Sequence, residues 1–239
     1  MAVKELWLAR HGESIGNVAA TQAEIDGLDT IPLDVRDADV PLSDTGREQA
    51  LALGEWLDGH REGLDVYWVS PYLRARETLA LALGDEGGRV LVDERLRDRE
   101  LGILDLLTRR GAARLHPGEF ARRQHLGKFY HRPPGGESWA DVALRLRSFL
   151  RDVMAGPDER AMIVAHDAVV MLVLYILLPM DEPGLLDFAA GHTVLNASVT
   201  HLVRGDDGWT LSAFSDVAHL QREGADITAH PGSPDVEPR

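Results

Sequence analysis

Short apolar runs alternate along this chain with stretches in which apolar residues recur every three or four positions. Residues 5–9, 65–69 and 161–165 are short and nearly continuous in apolar side chains, and each leads into a helix-period segment, so all three read as buried strands. Strands that alternate with helices predict an α/β fold built on a mainly parallel sheet. Thr45 with Glu48, and Ser138 with Asp141, have the spacing of a capping box, which predicts helices over about 44–58 and 138–154. The longest apolar run, 168–180, contains Tyr175 and Pro179; it falls short of the roughly 20 residues of a membrane span and predicts a buried helix. Residues 193–203 and 209–215, parted by Gly205-Asp206-Asp207-Gly208, predict an antiparallel strand pair. Residues 222–239 mix Pro, Gly, Asp and Glu with few large apolar side chains and predict a disordered tail.

Composition narrows the class. A chain of 239 residues, 44% hydrophobic and 27% charged, can bury one substantial core, so a single domain over 1–221 is expected, with an inserted segment at about 103–136. The absence of cysteine excludes disulfides, thiolate catalysis and cysteine metal sites. A net charge of −14 argues against nucleic-acid or anionic-membrane partners. The amino terminus lacks the pattern of a secretory leader and enters a strand directly, so a cytoplasmic location is expected. Against the acidic average, residues 100–136 are locally basic, with Arg109, Arg110, Arg114, Arg122, Arg123, Lys128 and Arg132. Most of these read as solvated charges paired with carboxylates, and one or two as contacts to an anionic ligand.

The chemistry gathers at three strand-to-helix junctions: Arg10 and His11 after the first strand, Ser70 with Arg74 after the second, His166 after the third. In open parallel sheets ligands bind beyond the carboxyl ends of the strands, so these side chains are expected to share one crevice. A histidine whose second ring nitrogen is held by a hydrogen bond can itself be a nucleophile. Arginine forks suit phosphoryl oxygens, and Gly12 permits close backbone approach. Together they favour phosphoryl over acyl transfer. The other histidines, His230 among them, show no metal-ligand spacing and read as ordinary; Glu137 and Ser138 read as a turn and a cap.

The run Leu8-Ala9-Arg10-His11-Gly12-Glu13-Ser14 with Asn17 resembles the RHG signature of the histidine phosphatase superfamily, the phosphoglycerate-mutase-like proteins. Further segments agree in order: Asp39-Val40-Pro41-Leu42-Ser43 to Gly46, Ser70-Pro71 with Arg74-Ala75 and Thr78, Pro134-Gly135-Gly136-Glu137-Ser138, and Ala165-His166. The resemblance spans residues 4 to about 220. It implies a three-layer α/β/α sandwich with a cap insertion, and a metal-independent, cofactor-free reaction on a small phosphoester. His11 would be the phosphorylated nucleophile, Arg10, Arg74 and His166 would bind the phosphoryl group, and Asn17 would assist. The family's proton donor is a glutamate in a segment patterned like residues 96–102, where this chain has Asp98, with Glu100 two residues on; Asp167, after His166, is a third candidate. Asp98 is the favoured donor, Glu100 a substrate contact.

The expected function is therefore phosphomonoester hydrolysis through a phosphohistidine, which asks for a site open to water. The alternatives are a phosphoglycerate mutase and a non-catalytic phospho-ligand module on the same fold.

Overall fold

The computed structural model describes residues 3–230. Four parallel strands, β1 (Glu5–Arg10), β2 (Val66–Val69), β3 (Val90–Val92) and β4 (Arg160–Ala165), are joined by β5 (Val199–Gly205), antiparallel to β1, and β6 (Gly208–Asp216), antiparallel to β5. The order across the sheet is β3-β2-β4-β1-β5-β6. The central strands are apolar on both faces because both are covered. Leu6, Leu8, Ala161, Ile163 and Ala165 belong to one apolar cluster with the helices α6 (Trp139–Ala155) and α7 (Asp167–Leu177). Their neighbours in sequence, Trp7, Ala9, Met162 and Val164, cluster with α2 (Asp44–Asp58) and α3 (Leu73–Leu83) on the other side. This period-two division of a continuous apolar run produces the expected three-layer sandwich. Among the described residues no helix is long and apolar enough to cross a membrane.

Helix α6 starts as its sequence predicts, with Ser138 and Asp141 exchanging both hydrogen bonds of a capping box. The start of α2 differs from expectation: its cap is Ser43, whose Oγ accepts from Gly46 N at 3.0 Å, and Thr45 with Glu48 lies inside the helix. The expected strand over 193–203 is shorter, because residues 193–198 form a loop rather than a ladder. Asn196 and Ser198 are fully buried polar side chains there, and Ala197 has φ 52, which no strand accommodates. The tail reading is corrected for residues 222–230. Helix α9 (Ala218–Glu223) enters this stretch, and beyond it Asp226, Thr228 and His230 are held by Gln49, Asn196 and Arg10. Its polar composition hid hydrogen bonds made to a polar site rather than to an apolar core. Residues 231–239 lie outside the described residues.

Between β3 and β4 the basic stretch folds as α4 (Arg109–Leu115) and α5 (Pro117–Tyr130), the latter broken at Gly127, φ 76. Most of its cations are paired, as expected: Arg110 and Arg114 with Asp29, Arg122 with Glu119, Arg132 with Asp141.

A very tight backbone approach lies under the first junction. Ser43 N donates to Glu13 O at 2.9 Å, and a Cβ on Gly46 would stand 1.9 Å from that same oxygen; one on Gly12 would stand 2.5 Å from Gly46 O. The loop after β1 thus rests directly on the first turn of α2. Gly46→Ala is expected to destabilise the protein by about 1–3 kcal/mol in urea unfolding, since neither backbone can yield without moving His11. Gly118→Ala, whose added methyl meets nothing within 4 Å, is the reference and should cost nothing. Equal stability of the two variants would mean the two backbones separate freely.

Candidate active site

Neighbouring β1 and β4 carry the two histidines. The register pairs Arg10 with Ala165, so His11 and His166 emerge at one level, with ring centroids 5.2 Å apart. From there the chain leaves β1 toward the α2 face and β4 toward the α7 face, and that divergence opens the crevice. Ser70, after β2, reaches the same edge and places Oγ 2.8 Å from His166 Nε2. Thr78 ties the loop to α3 by accepting from Gly12 N at 3.0 Å and donating to Arg74 O at 2.7 Å. The crevice therefore holds His11, His166, Arg10 and Arg74, as expected.

His11 is 2% exposed. Its Nδ1 lies 2.7 Å from Gly12 O. A carbonyl only accepts, so Nδ1 carries the proton, and the Nε2 lone pair faces Arg74 Nε at 3.3 Å. Burial pushes the imidazole well below its ordinary pKa, and Arg74, His166 and Arg10 push the same way; the bond to Gly12 O only partly opposes them. The result is a neutral imidazole with its lone pair presented at Nε2.

Around it lie buried donors. Arg10 Nη1 and Nη2 donate to the carbonyls of Val194 and His230, each at 2.6 Å, while its buried Nε has no hydrogen-bond partner among the described residues. His166 Nδ1 is buried and lies 3.2 Å from Asp98 Oδ2, at ion-pair distance. A buried N–H without a hydrogen bond, as at Arg10 Nε, is costly unless an acceptor enters beside it.

Asp98 closes the cluster. Oδ2 accepts from Arg74 Nη2 at 2.9 Å and Oδ1 from Arg99 N at 2.8 Å. Burial raises its pKa, but His166, Arg74 and the Arg99 amide outweigh burial and hold the carboxyl well below the usual range. Glu100 stands one layer out, exposed, accepting from Tyr72 Oη at 2.9 Å, while the Tyr72 ring lies against His166 and Arg74. Asp167 opens α7, with Oδ1 accepting from Ala168 N at 2.7 Å; the cap position itself is His166. Asn17 is half-buried in a capping box with Ser14, and its Oδ1 also receives Asn196 Nδ2 at 3.4 Å.

The family model of the histidine phosphatase superfamily (branch 1) matches residues 6–217. The chain belongs to the histidine phosphatase superfamily. A glucosyl-3-phosphoglycerate phosphatase of Mycolicibacterium vanbaalenii is 31% identical over 229 residues, 91% of this chain and 92% of that one. A 2,3-bisphosphoglycerate-dependent phosphoglycerate mutase of Methylorubrum populi is 33% identical over 175 residues, 67% of this chain and 73% of its own. Among solved structures, a mycobacterial glucosyl-3-phosphoglycerate phosphatase superposes with a TM-score of 0.69 at 26% identity, covering 90% of this chain and all of the other. This histidine phosphatase is thus a hydrolase.

Several residues of its site had no reading as such in the sequence. Asp37, on the short turn Asp37–Asp39, pairs with both Nη groups of Arg74. Glu137, read as a turn residue, is instead an ion-pair hub: it accepts from Arg97 at 2.6 Å and from Arg145 at 3.0 Å on each oxygen. Through Arg145, which also donates to Asp98 O at 3.1 Å, it holds the segment that presents Asp98. Glu13 and Glu137 lie inside the family signatures, which was signal enough; Asp37, Arg145 and His230 carry no local signal. Phe129 is packed in the core, and Arg132 is on the surface with Asp141. Closer in, burial and repulsion from Arg99 and Arg109 lower Arg123 to about 10. Burial lowers Lys128 to about 8, Asp167 opposing and Arg123 and Arg99 adding to it. Among the described residues no cluster of three or more His, Asp or Glu side chains is placed to hold a metal ion.

The depressed imidazole has a signed consequence for stability. As pH drops below about 6.5 the unfolded chain binds a proton at His11 that the folded site refuses, so stability is lost toward acid. Asp98 acts in the same direction at lower pH, its contribution vanishing as pH falls through its depressed folded value. In urea unfolding at pH 7, 6 and 5, His11→Gln is expected to flatten the acid slope by up to about 1.4 kcal/mol per pH unit. Parallel slopes in the two proteins would show that His11 is not held neutral.

Proposed function

We propose that this chain hydrolyses small phosphomonoesters through a phosphohistidine at His11, without a metal ion. The observation that carries the reading is the neutral, Nδ1-protonated His11 flanked by the buried Nε of Arg10, which makes no hydrogen bond among the described residues, and by His166 Nδ1, which faces only the Asp98 carboxylate. Phosphoryl oxygens satisfy both donors while phosphorus meets the Nε2 lone pair. Arg74 adds its fork once the half-exposed Asp37 carboxylate gives way to the phosphoryl oxygens.

In the first displacement Nε2 attacks phosphorus in line as the ester P–O bond breaks, and the leaving oxygen takes a proton from Asp98. The phosphoryl charge beside Asp98 raises its pKa in the complex, opposing Arg74 and His166 and allowing the carboxyl to carry that proton. In the second, the Asp98 carboxylate takes a proton from water, the water oxygen bonds to phosphorus, and the N–P bond returns its electron pair to Nε2 as phosphate leaves. Glu100 and Asp167 serve less well as donors: one faces Tyr72, the other its own helix start.

His11 is far less open to water than a site expected to hydrolyse its intermediate, so accessibility does not separate phosphatase from mutase. Phosphatase is preferred on the relative matched over nine-tenths of both chains. Lys128, near Asp167, and Arg123 are cations whose pKa values are lowered first by burial and further by neighbouring arginines, and they support a substrate carrying a second anionic group, such as a phosphoglycerate ester.

On a panel of sugar phosphates, phosphoglycerates, glucosyl-3-phosphoglycerate and phosphotyrosine, the wild type is expected to release phosphate equally with and without EDTA. His11→Ala should fold and fall to background. Full hydrolysis by His11→Ala, or loss in EDTA restored by zinc or magnesium, would overturn the mechanism.

A second experiment concerns the donor. Asp98→Asn is expected to slow alkyl phosphates about 100-fold to 10,000-fold while sparing para-nitrophenyl phosphate, whose leaving group needs little protonation. If the selective loss follows Glu100→Gln or Asp167→Asn instead, that residue is the donor.

A further inference from the structure

The segment 225–230, beyond α9, crosses back over the loop that carries His11. Gln49 Nε2 donates to Asp226 O at 2.7 Å and to Thr228 Oγ1 at 2.9 Å, while Gln49 Oε1 accepts from Glu13 N at 2.8 Å. Asn196 N donates to Thr228 O at 3.2 Å, and Asn196 Nδ2 to His11 O at 3.1 Å. One glutamine and one asparagine thus bind the segment and the nucleophile loop at once.

At its far end His230 makes three contacts. Its carbonyl accepts from Arg10 Nη2 at 2.6 Å. Its Nε2 lies 2.7 Å from Glu13 Oε2; a carboxylate only accepts, so Nε2 carries the proton, and the Thr21 hydroxyl closes on Nδ1 at 2.7 Å. The His230 and Glu13 side chains are 13% and 9% exposed. Glu13 in turn accepts from Ser43 Oγ at 2.6 Å, on the loop that caps α2.

We infer that residues 225–230 form part of the phosphoryl pocket, and that His230 is a positioning residue that locks them in place and thereby aims Arg10. The inference rests on the proposed phosphatase reading of the same site. Arg10 is 2% exposed and its side chain has three nitrogens. Carbonyls of Val194 and His230 take one bond from each Nη, which fixes the plane of the guanidinium and leaves Nε–H as the buried donor for an anion. Without the His230 carbonyl, one of the two anchors is lost and the fork can swing about its remaining bond. The imidazole keeps that carbonyl in place by pinning the end of the segment to Glu13 and Thr21.

The test compares five proteins: the full chain, a chain stopped after Ser233, which retains the segment, a chain stopped after Gly224, His230→Ala and His230→Gln. Each is assayed for phosphoester hydrolysis and, independently, for binding of inorganic phosphate by calorimetry. The chain stopped after Gly224 and His230→Ala are expected to weaken phosphate binding and lower kcat/KM by about 10-fold to 100-fold. His230→Gln, whose amide can still donate to Glu13, should recover most of the loss. A purely structural role would lower the melting temperature without moving phosphate affinity. Unchanged or tighter phosphate binding by the chain stopped after Gly224 overturns the inference; if that chain does not fold, His230→Ala decides by the same criterion. A wild type that binds phosphate but hydrolyses no ester would refute the phosphatase reading, while the binding data would still decide the role of the segment.

Discussion

Everything at this site depends on burying an imidazole as a neutral base between two guanidinium groups. Two fixed positive charges and the loss of solvent make protonation of His11 costly, and the Gly12 carbonyl leaves its lone pair at Nε2. That arrangement holds only if His11 cannot retreat to water. The loop is therefore clamped from below by the Gly12–Gly46 backbone contact, from the side by Thr78, and from behind by Asn196 and Ala197, whose nitrogens both reach His11 O. The glycines and threonine of the family signatures are thus understandable as the means of holding one ring in place.

The guanidinium groups create the complementary problem, since buried positive charge must be balanced. The protein balances it with acids that are themselves held in place. Asp98 and Asp37 share Arg74, and Asp167 lies near Arg10. Asp98 depends in turn on Arg145, which donates to Arg95 O and Asp98 O, and on Glu137, which accepts from Glu100 N. An acidic protein with a basic crevice follows from this, as the average charge describes the surface and the local charge describes the ligand.

The layered fold could be read directly from the chain because both signals it uses are local. A continuous apolar run marks a strand covered on both faces, and the strand ends announce where polar side chains collect. His11, Arg74 and His166 were legible for the same reason: each sits within a few residues of such an end. Asp37, Arg145 and His230 were not, because they reach the site from a surface turn, the middle of a helix and the stretch after the last helix, where neither periodicity nor spacing marks them. The stretch 222–230 was misread for a related reason. Low hydrophobicity predicts disorder when the only reward for folding is apolar burial, and here the reward is hydrogen bonding to buried polar groups such as Gln49, Asn196 and Arg10. Residues 193–198 differ from the expected strand for the same reason: they form a loop in which Asn196 donates to His11 O and Ser198 bonds Leu195 O and Ser215.

The aspartate at position 98 fits this economy of charge. A glutamate there would reach one bond further, but its carboxylate would have an additional torsion to fix and would move away from Arg99 N, which now orients Oδ1. Asp98 gives up reach and gains two anchored oxygens, one on a backbone amide and one on Arg74. A shorter acid held that closely must have its substrate brought to it. On the proposed reading the groups that would draw a phosphoryl group in are Arg10 Nε, buried without a hydrogen bond among the described residues, and His166 Nδ1, which faces only Asp98. On that reading the short acid and the buried donors are matched features of one site, in which the depth of phosphoryl binding would compensate for the missing methylene.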